Sequence, residues 1–317
     1  MIRLTGIAHY LAETEINNLS LCEHFSATPE FMIDKIGVQK RALKKEGQTS
    51  SEFCLLAFDQ LQKKINMSTV DVDCCVVVTQ NPDQRIPHVS AIVHGALGFQ
   101  EGCASFDISL GCSGYVYALS VVRSFMADNG YKKGLLFTSD QYSNIINQED
   151  KNTVLIFGDG ASVSVLEEDK SGFEVLSSDF GSRGAGWKSL HCKDRLEMNG
   201  REVFGFTASV IPKSIERALL KTELAKEDIS KWYFHQGSKY ILDTIMQRSL
   251  LPEERVVFDM LNYGNTISSS IPIMLSKDFH NFQNDQLIGI SGFGVGLSWG
   301  TSILKYVEEK ESGCENK

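Results

Sequence analysis

The chain has 317 residues, with 31 Lys plus Arg against 40 Asp plus Glu and a formal net charge of −9. That balance argues against nucleic acid as the main partner, because a phosphate-backbone binder needs a basic face. A composition of 42 % hydrophobic and 22 % charged residues is that of a soluble globule long enough for one large domain or two ordinary ones.

In chain order, Met1-Ile2-Arg3-Leu4-Thr5-Gly6 reads as a first strand and not as a signal peptide. No apolar run approaches the roughly 20 residues of a membrane span, so a cytoplasmic protein without a span is expected. Asp73–Thr79 (DCCVVVT) is a buried strand by its continuous apolar character. Val89–Leu97 carries a helix-length apolar stripe, Ala104–Ile108 reads as a strand, Gly114–Phe125 as a helix, and Gly134–Thr138 (GLLFT) as a strand. The later part repeats the order with a strand at Lys231–Phe234, a helix at Ile241–Leu250 and a strand at Val256–Asp259. Strands alternating with helices predict α/β layers.

Two matches suggest that the chain is written twice. Phe106-Asp107 and Phe258-Asp259 each close a strand before a glycine-containing turn and a small-residue helix. FGDGASVSV at 157–165 resembles FGVGLSWGT at 293–301, a glycine turn followed by an alternating strand. The polar stretch Glu167–Gly172 (EEDKSG) is the natural join, dividing the chain into 1–168 and 169–317.

Eight cysteines stand at 22, 54, 74, 75, 103, 112, 192 and 314. They form no C-x-x-C pair and no metal-ligand spacing with histidine, so no metal is expected. Most read as small buried hydrophobes. Cys112, in Ser109-Leu110-Gly111-Cys112-Ser113-Gly114, is different. It follows a strand and precedes a helix, and a helix N-terminus favours the thiolate that attacks acyl carbon. The bland alternative is a buried cysteine in a small-residue turn. His235 leaves the KWYF strand into a glycine-containing loop, where α/β sites gather, and could equally be a hydrogen-bonded edge histidine. Asn265 sits in Asn262-Tyr263-Gly264-Asn265, the counterpart of the Cys112 turn, although such turns are common everywhere. If the halves pack about a pseudo-twofold, these three residues meet around one cavity. A thiolate beside two neutral hydrogen-bond donors suits acyl chemistry through an enolate or oxyanion.

FDISLGCSGYVYAL, VLIFGDGASVSVL, EMNGREVFGF, FHQGSKYIL, YGNTISSSIP and GFGVGLSWG resemble, in order and approximate spacing, the thiolase-like condensing enzymes, most closely β-ketoacyl-[acyl-carrier-protein] synthase III. The resemblance implies a thiolase-like αβαβα sandwich of two duplicated α/β halves, usually a homodimer in the cytoplasm. It implies an acyltransferase of fatty-acid or specialised lipid and secondary-metabolite biosynthesis. Cys112 would take an acyl group from acyl-CoA, and His235 and Asn265 would support decarboxylation of malonyl-ACP or another malonyl carrier. The backbone N–H groups of Cys112 and Val295 would form the oxyanion hole, and no cofactor is implied beyond the two thioester substrates. Lys35 and Lys151 fall where the family places cations for the CoA nucleotide, and Phe31 where a ring stacks on adenine. Ile86 falls where a residue reaches across the dimer to the partner's acyl pocket.

The chain departs from the family pattern in two places. His235-Gln236-Gly237-Ser238-Lys239-Tyr240 stands for the usual His-Gln-Ala-Asn-x-Arg, so Tyr240 replaces the arginine associated with carrier docking. Val295 replaces the usual alanine or glycine. A thiolase would need a second cysteine where Ser291-Gly292-Phe293 stands, and Cys314 lies in a polar tail. A hydroxymethylglutaryl-CoA synthase would need an acidic general acid/base. Two alternatives stay open at this point: acyl transfer from Cys112 to an amine or hydroxyl, and a non-catalytic partner subunit.

Overall fold

The computed structural model describes residues 1–309, so Cys314 lies outside the described residues. The first part runs β1 (Ile2–Leu11), β2 (Thr14–Asn17), β3 (Lys40–Leu43), α1 (Ser50–Lys64), β4 (Cys74–Val78), α2 (Val89–Leu97), β5 (Ala104–Ile108), α3 (Gly114–Asn129), β6 (Lys133–Asp140), α4 (Lys151–Val154) and β7 (Gly160–Glu168). The second runs β8 (Gly172–Ser182), β9 (Leu190–Cys192), β10 (Leu196–Met198), α5 (Gly200–Leu220), β11 (Lys231–Phe234), α6 (Lys239–Ser249), α7 (Ser270–Asp278), β12 (Leu287–Gly294) and β13 (Ser298–Val307).

Nine strands follow the order β11-β12-β13-β8-β1-β7-β6-β4-β5. β1 and β8 meet at a single registered pair, Leu4 with Phe173, so the order divides into two sheets. In the first, β4 runs parallel to β5 and β6, and β7 runs antiparallel between β6 and β1. The second repeats this: β11 is parallel to β12, and β13 is antiparallel between β12 and β8. β4 (CCVVV) is buried at every position, as a strand with neighbours on both edges and layers on both faces must be.

Helices α3 and α7 pack against strands of both sheets, α1 and α2 cover the outer face of the first, and α5 covers the second with α6 beside it. The result is the αβαβα sandwich expected from the sequence. The central core joins Tyr115, Val116, Leu119 and Val122 of α3 to Ile271, Met274 and Leu275 of α7, between Val76, Val78 and Leu136 on one side and Tyr233, Ile288 and Ile290 on the other. Serines 268–270 are buried at the head of α7, where small side chains let the helix lie between two sheets.

Residues 256–259 are not a strand. They make only an isolated bridge, Trp232 with Val256. The Gln236 side chain takes over the pairing: its Nε2 donates to the Val257 carbonyl (3.2 Å) and its Oε1 accepts from the Asp259 N–H (3.1 Å). No helix among the described residues is long and apolar enough to cross a membrane.

The FGDG turn braces the second half directly. A Cβ on Gly158 would lie 1.8 Å from the Tyr263 carbonyl oxygen. Gly158→Ala is expected to destabilise the fold by about 1–3 kcal/mol through overpacking, read as a lowered denaturant midpoint. An unchanged midpoint would contradict this packing.

Candidate active site

The turn after β5 closes tightly, with the Gly114 N–H donating to the Gly111 carbonyl at 2.7 Å. This sets Cys112 two residues ahead of α3, buried at 5 % exposure. The end of β12 lies against it. A Cβ on Gly292 would fall 2.6 Å from the Cys112 carbonyl oxygen, and one on Gly294 would fall 2.9 Å from Cys112 Cβ and Sγ. Only glycine fits so close an approach. Burial pushes the Cys112 thiol up to about 12, opposed by the nearby backbone of Val295 and of Cys112 itself, with Asp140 adding to the rise. The thiolate expected from the helix N-terminus is therefore not the resting form: removal from water outweighs a helix-end effect of about 1 kcal/mol.

His235 is fixed as the sequence places it, at the end of β11, where its N–H continues the ladder to the Ser291 carbonyl (2.8 Å). Its Nδ1 lies 2.8 Å from Ser270 Oγ, and that hydroxyl donates to the Ile267 carbonyl at 3.0 Å. A hydroxyl that spends its proton on Ile267 can only accept from the ring. The network thus assigns the proton to Nδ1 and leaves the lone pair on Nε2. Asn265 Nδ2 donates toward that Nε2 at 3.4 Å. Burial pulls His235 down to about 3, so the imidazole is neutral and its Nε2 is at rest an acceptor, not the donor anticipated from sequence.

Asn265 is held by pairing across the halves. Its N–H donates to the Ile156 carbonyl (2.8 Å), its carbonyl accepts from Gly158 N–H (3.0 Å), and its Oδ1 accepts from Ile267 N–H (2.9 Å).

Cys112, His235 and Asn265 border one cavity of about 490 Å³, together with Phe157, Leu190, Phe204, Phe293 and Gly294. Ile156, Met198, Gly200, Ser238 and Tyr240 border both this cavity and an outer groove lined by Phe31, Lys35 and Lys151, so the two share a wall. At the groove, Lys151 Nζ lies 4.8 Å over the Phe31 ring and Lys35 Nζ 4.7 Å over the Tyr240 ring. Tyr240 stacks on Phe204 with centroids 5.0 Å apart, and Lys239 is tied to Asp243 at 2.8 Å. Ile86 borders neither space and is 85 % exposed.

Sequence reasoning missed several groups here. Arg201 stands at the cavity rim, and Thr207 borders the cavity with its buried hydroxyl unpartnered. Behind Cys112, Asp140 is fully buried, and burial pushes its carboxyl up to about 7 against hydrogen bonds from Gln80 and Ser268. Their signal was position: Gln80 and Asp140 lie at the ends of β4 and β6, where α/β sites gather.

A buried cysteine, a neutral imidazole and an amide border one cavity of a thiolase-like sandwich. Known proteins agree. Residues 106–184 match the 3-oxoacyl-[acyl-carrier-protein (ACP)] synthase III family and residues 219–306 its C-terminal counterpart. A β-ketoacyl-[acyl-carrier-protein] synthase III of Bacillus cereus is 32 % identical over 307 residues, covering 96 % of this chain and 99 % of the relative. One from Geobacillus kaustophilus is 32 % identical over 305 residues, covering 96 % and 98 %. A crystal structure of 3-oxoacyl-(acyl-carrier-protein) synthase III superposes with a TM-score of 0.92 at 26 % identity, covering 96 % and 99 %. That of Pseudomonas aeruginosa gives 0.90 at 27 %, covering 97 % and 99 %. The chain belongs to the β-ketoacyl-[acyl-carrier-protein] synthase III family of condensing enzymes, and is a transferase.

A thiol at about 12 predicts slow alkylation of Cys112 by iodoacetamide at pH 7, with a rate rising about tenfold per pH unit up to pH 10 as thiolate accumulates. Peptide mapping separates it from exposed Cys192. A plateau near pH 7 would contradict a neutral resting thiol.

Proposed function

We propose that this enzyme loads an acyl group from acyl-CoA onto Cys112 and condenses it with a malonyl thioester to give a β-ketoacyl thioester. The observation that carries this reading is the close approach of the end of β12 to Cys112, where a Cβ on Gly294 would fall 2.9 Å from the sulfur, in a cavity that this sulfur shares with His235 and Asn265.

The sulfur attacks the thioester carbonyl while the Nε2 lone pair of His235 takes the thiol proton. The backbone N–H groups of Cys112 and Val295 hold the tetrahedral oxyanion. Collapse expels the CoA thiolate, which takes the proton from His235 and leaves acyl-Cys112. A malonyl thioester then enters and loses carbon dioxide. Asn265 Nδ2–H donates to the enolate oxygen, and His235 donates from Nε2 in its other tautomer, with Ser270 turning its hydroxyl from Ile267 to Nδ1. The enolate carbon attacks the acyl-Cys112 carbonyl, and expulsion of the Cys112 thiolate, reprotonated from solvent, releases the product.

Lys35 and Lys151 meet the CoA phosphates and Phe31 the adenine, as their place on the outer groove supports. The two thioesters are the only small molecules the reading requires, and it places the enzyme in the cytoplasm, with malonyl-ACP or another malonyl carrier as the second substrate. The enzyme acts as a homodimer: β5 ends the strand order and is half-buried at every residue, so its free edge is open to a second copy, and exposed Ile86 is the residue that reaches across to it. Residues 1–168 and 169–317 are the duplicated units, a division supported by the repeated strand order. Transfer to an amine or hydroxyl is not favoured, since the relatives are condensing enzymes.

Cys112→Ala is expected to abolish acyl loading. His235→Ala and Asn265→Ala should retain loading at a reduced rate but lose malonyl decarboxylation about 100-fold or more, followed as released carbon dioxide. Wild-type decarboxylation in either folded variant would overturn their role. Lys35→Ala with Lys151→Ala should raise the KM for acyl-CoA and weaken its dependence on salt; an unchanged KM would remove both from the nucleotide site.

A further inference from the structure

We infer that the Thr207 hydroxyl is a specificity-determining group that hydrogen-bonds an amide of the arm carrying the thioester, so that the enzyme selects amide-bearing thioesters over plain alkyl ones. This rests on the acyl-CoA loading proposed above and adds to it a residue that both half-reactions use.

The placement comes from α5. Gly200, Val203, Phe204 and Thr207 all border the cavity that holds Cys112, and spacings of three and four residues put them on one face of the helix. Gly200 also borders the outer groove, so this face begins at the mouth. Thr207 lies about 10 Å further along the axis, at 1.5 Å per residue, and is the last residue of α5 to border the cavity.

Thr207 is 0 % exposed, and its Oγ1 has no hydrogen-bond partner among the described residues. Other hydroxyls of the same helix are satisfied: Ser209 Oγ donates to the Phe206 carbonyl at 2.9 Å and Ser214 Oγ to Asp179 Oδ2 at 2.7 Å. A threonine in a helix can bond the carbonyl three or four residues back, and Thr207 does not. A buried hydroxyl without a partner is costly. On the wall of a cavity, its partner is a group that arrives with the ligand.

The neighbouring walls decide what that group is. Val203, Phe204, Ile241 and Phe293 border the same cavity, and one hydroxyl among apolar side chains cannot compensate a buried charge. A neutral amide fits, since its N–H and C=O can each pair with a hydroxyl that donates or accepts. The arm of an acyl-CoA is an alkyl chain interrupted by two amides, which matches apolar walls with one hydrogen-bonding group. A carrier protein presents the same arm, so the bond serves loading and condensation equally. It is made in the ground state and kept in the transition state, so it lowers KM and leaves kcat alone.

The test is the rate of Cys112 acylation, by intact-protein mass, with acetyl-CoA, acetyl-pantetheine and S-hexyl thioacetate, which lacks an amide. Thr207→Val keeps the side-chain shape and removes the hydroxyl. It should raise KM about tenfold for the first two at unchanged kcat, and leave S-hexyl thioacetate unaffected. Thr207→Ser should restore the low KM, and Thr207→Val should raise the KM of malonyl-CoA decarboxylation by the same factor. Since Val removes a buried unpartnered group, the variant should unfold at the wild-type denaturant midpoint or above it. An unchanged KM for acetyl-pantetheine would overturn the inference. So would an equal loss with S-hexyl thioacetate, which marks a structural role, or a loss confined to the malonyl step, which points to its carboxylate. Each of these leaves loading intact, whereas no wild-type adduct with acetyl-CoA defeats the loading step itself.

Discussion

The chemistry of this fold depends on how closely two backbone turns approach each other. The β5–α3 turn of the first half carries Cys112, and the β12–β13 turn of the second carries Gly292 and Gly294. A side chain at 292 would meet the Cys112 carbonyl at 2.6 Å, and one at 294 would meet its Cβ and sulfur at 2.9 Å. The approach also brings Val295 against the nucleophile's neighbour, its Cγ1 lying 2.8 Å from where a Cβ on Gly111 would stand. A second crossing, Gly158 against Tyr263, sets Asn265 by the same means. The site therefore exists only when the two sheets are docked through α3 and α7, and the core that docks them also aims the reacting groups.

Burial then decides the resting charges. The same loss of water raises the Cys112 thiol to about 12 and the Asp140 carboxyl to about 7, and lowers His235 to about 3. Each moves toward its neutral form, as low-dielectric surroundings require. The resting site is a neutral thiol in one cavity with a neutral imidazole, whose Nε2 accepts from Asn265. The cations stay outside, with Lys35 and Lys151 on the groove and Arg201 at the rim.

Much of this was legible in the sequence because it lies in local pattern. The bounds of α2 and β5 follow from apolar stripes and flanking glycines, and the Cys112 turn follows from Gly111 and Ser113-Gly114. The strand at 256–259 was misread because apolar content there could not reveal that Gln236 would satisfy the backbone from the side. The charge on Cys112 was misread because helix position is local, whereas burial is set by Gly292 and Gly294 far along the chain. Gln80 and Asp140 escaped notice because each sits at the end of a different strand, and only the parallel pairing of β4 with β6 brings them together. The stacking of Tyr240 on Phe204 likewise joins α6 to α5, a contact with no signature in either segment.

The most direct test of the account is an intact-mass chase on the wild-type enzyme. Acetyl-CoA should add one acetyl mass, mapped to Cys112. A malonyl thioester should then return the protein to its unmodified mass while releasing carbon dioxide and a β-ketoacyl thioester in equal amounts. An adduct at another residue, or a Cys112 adduct that no malonyl thioester discharges, would contradict it.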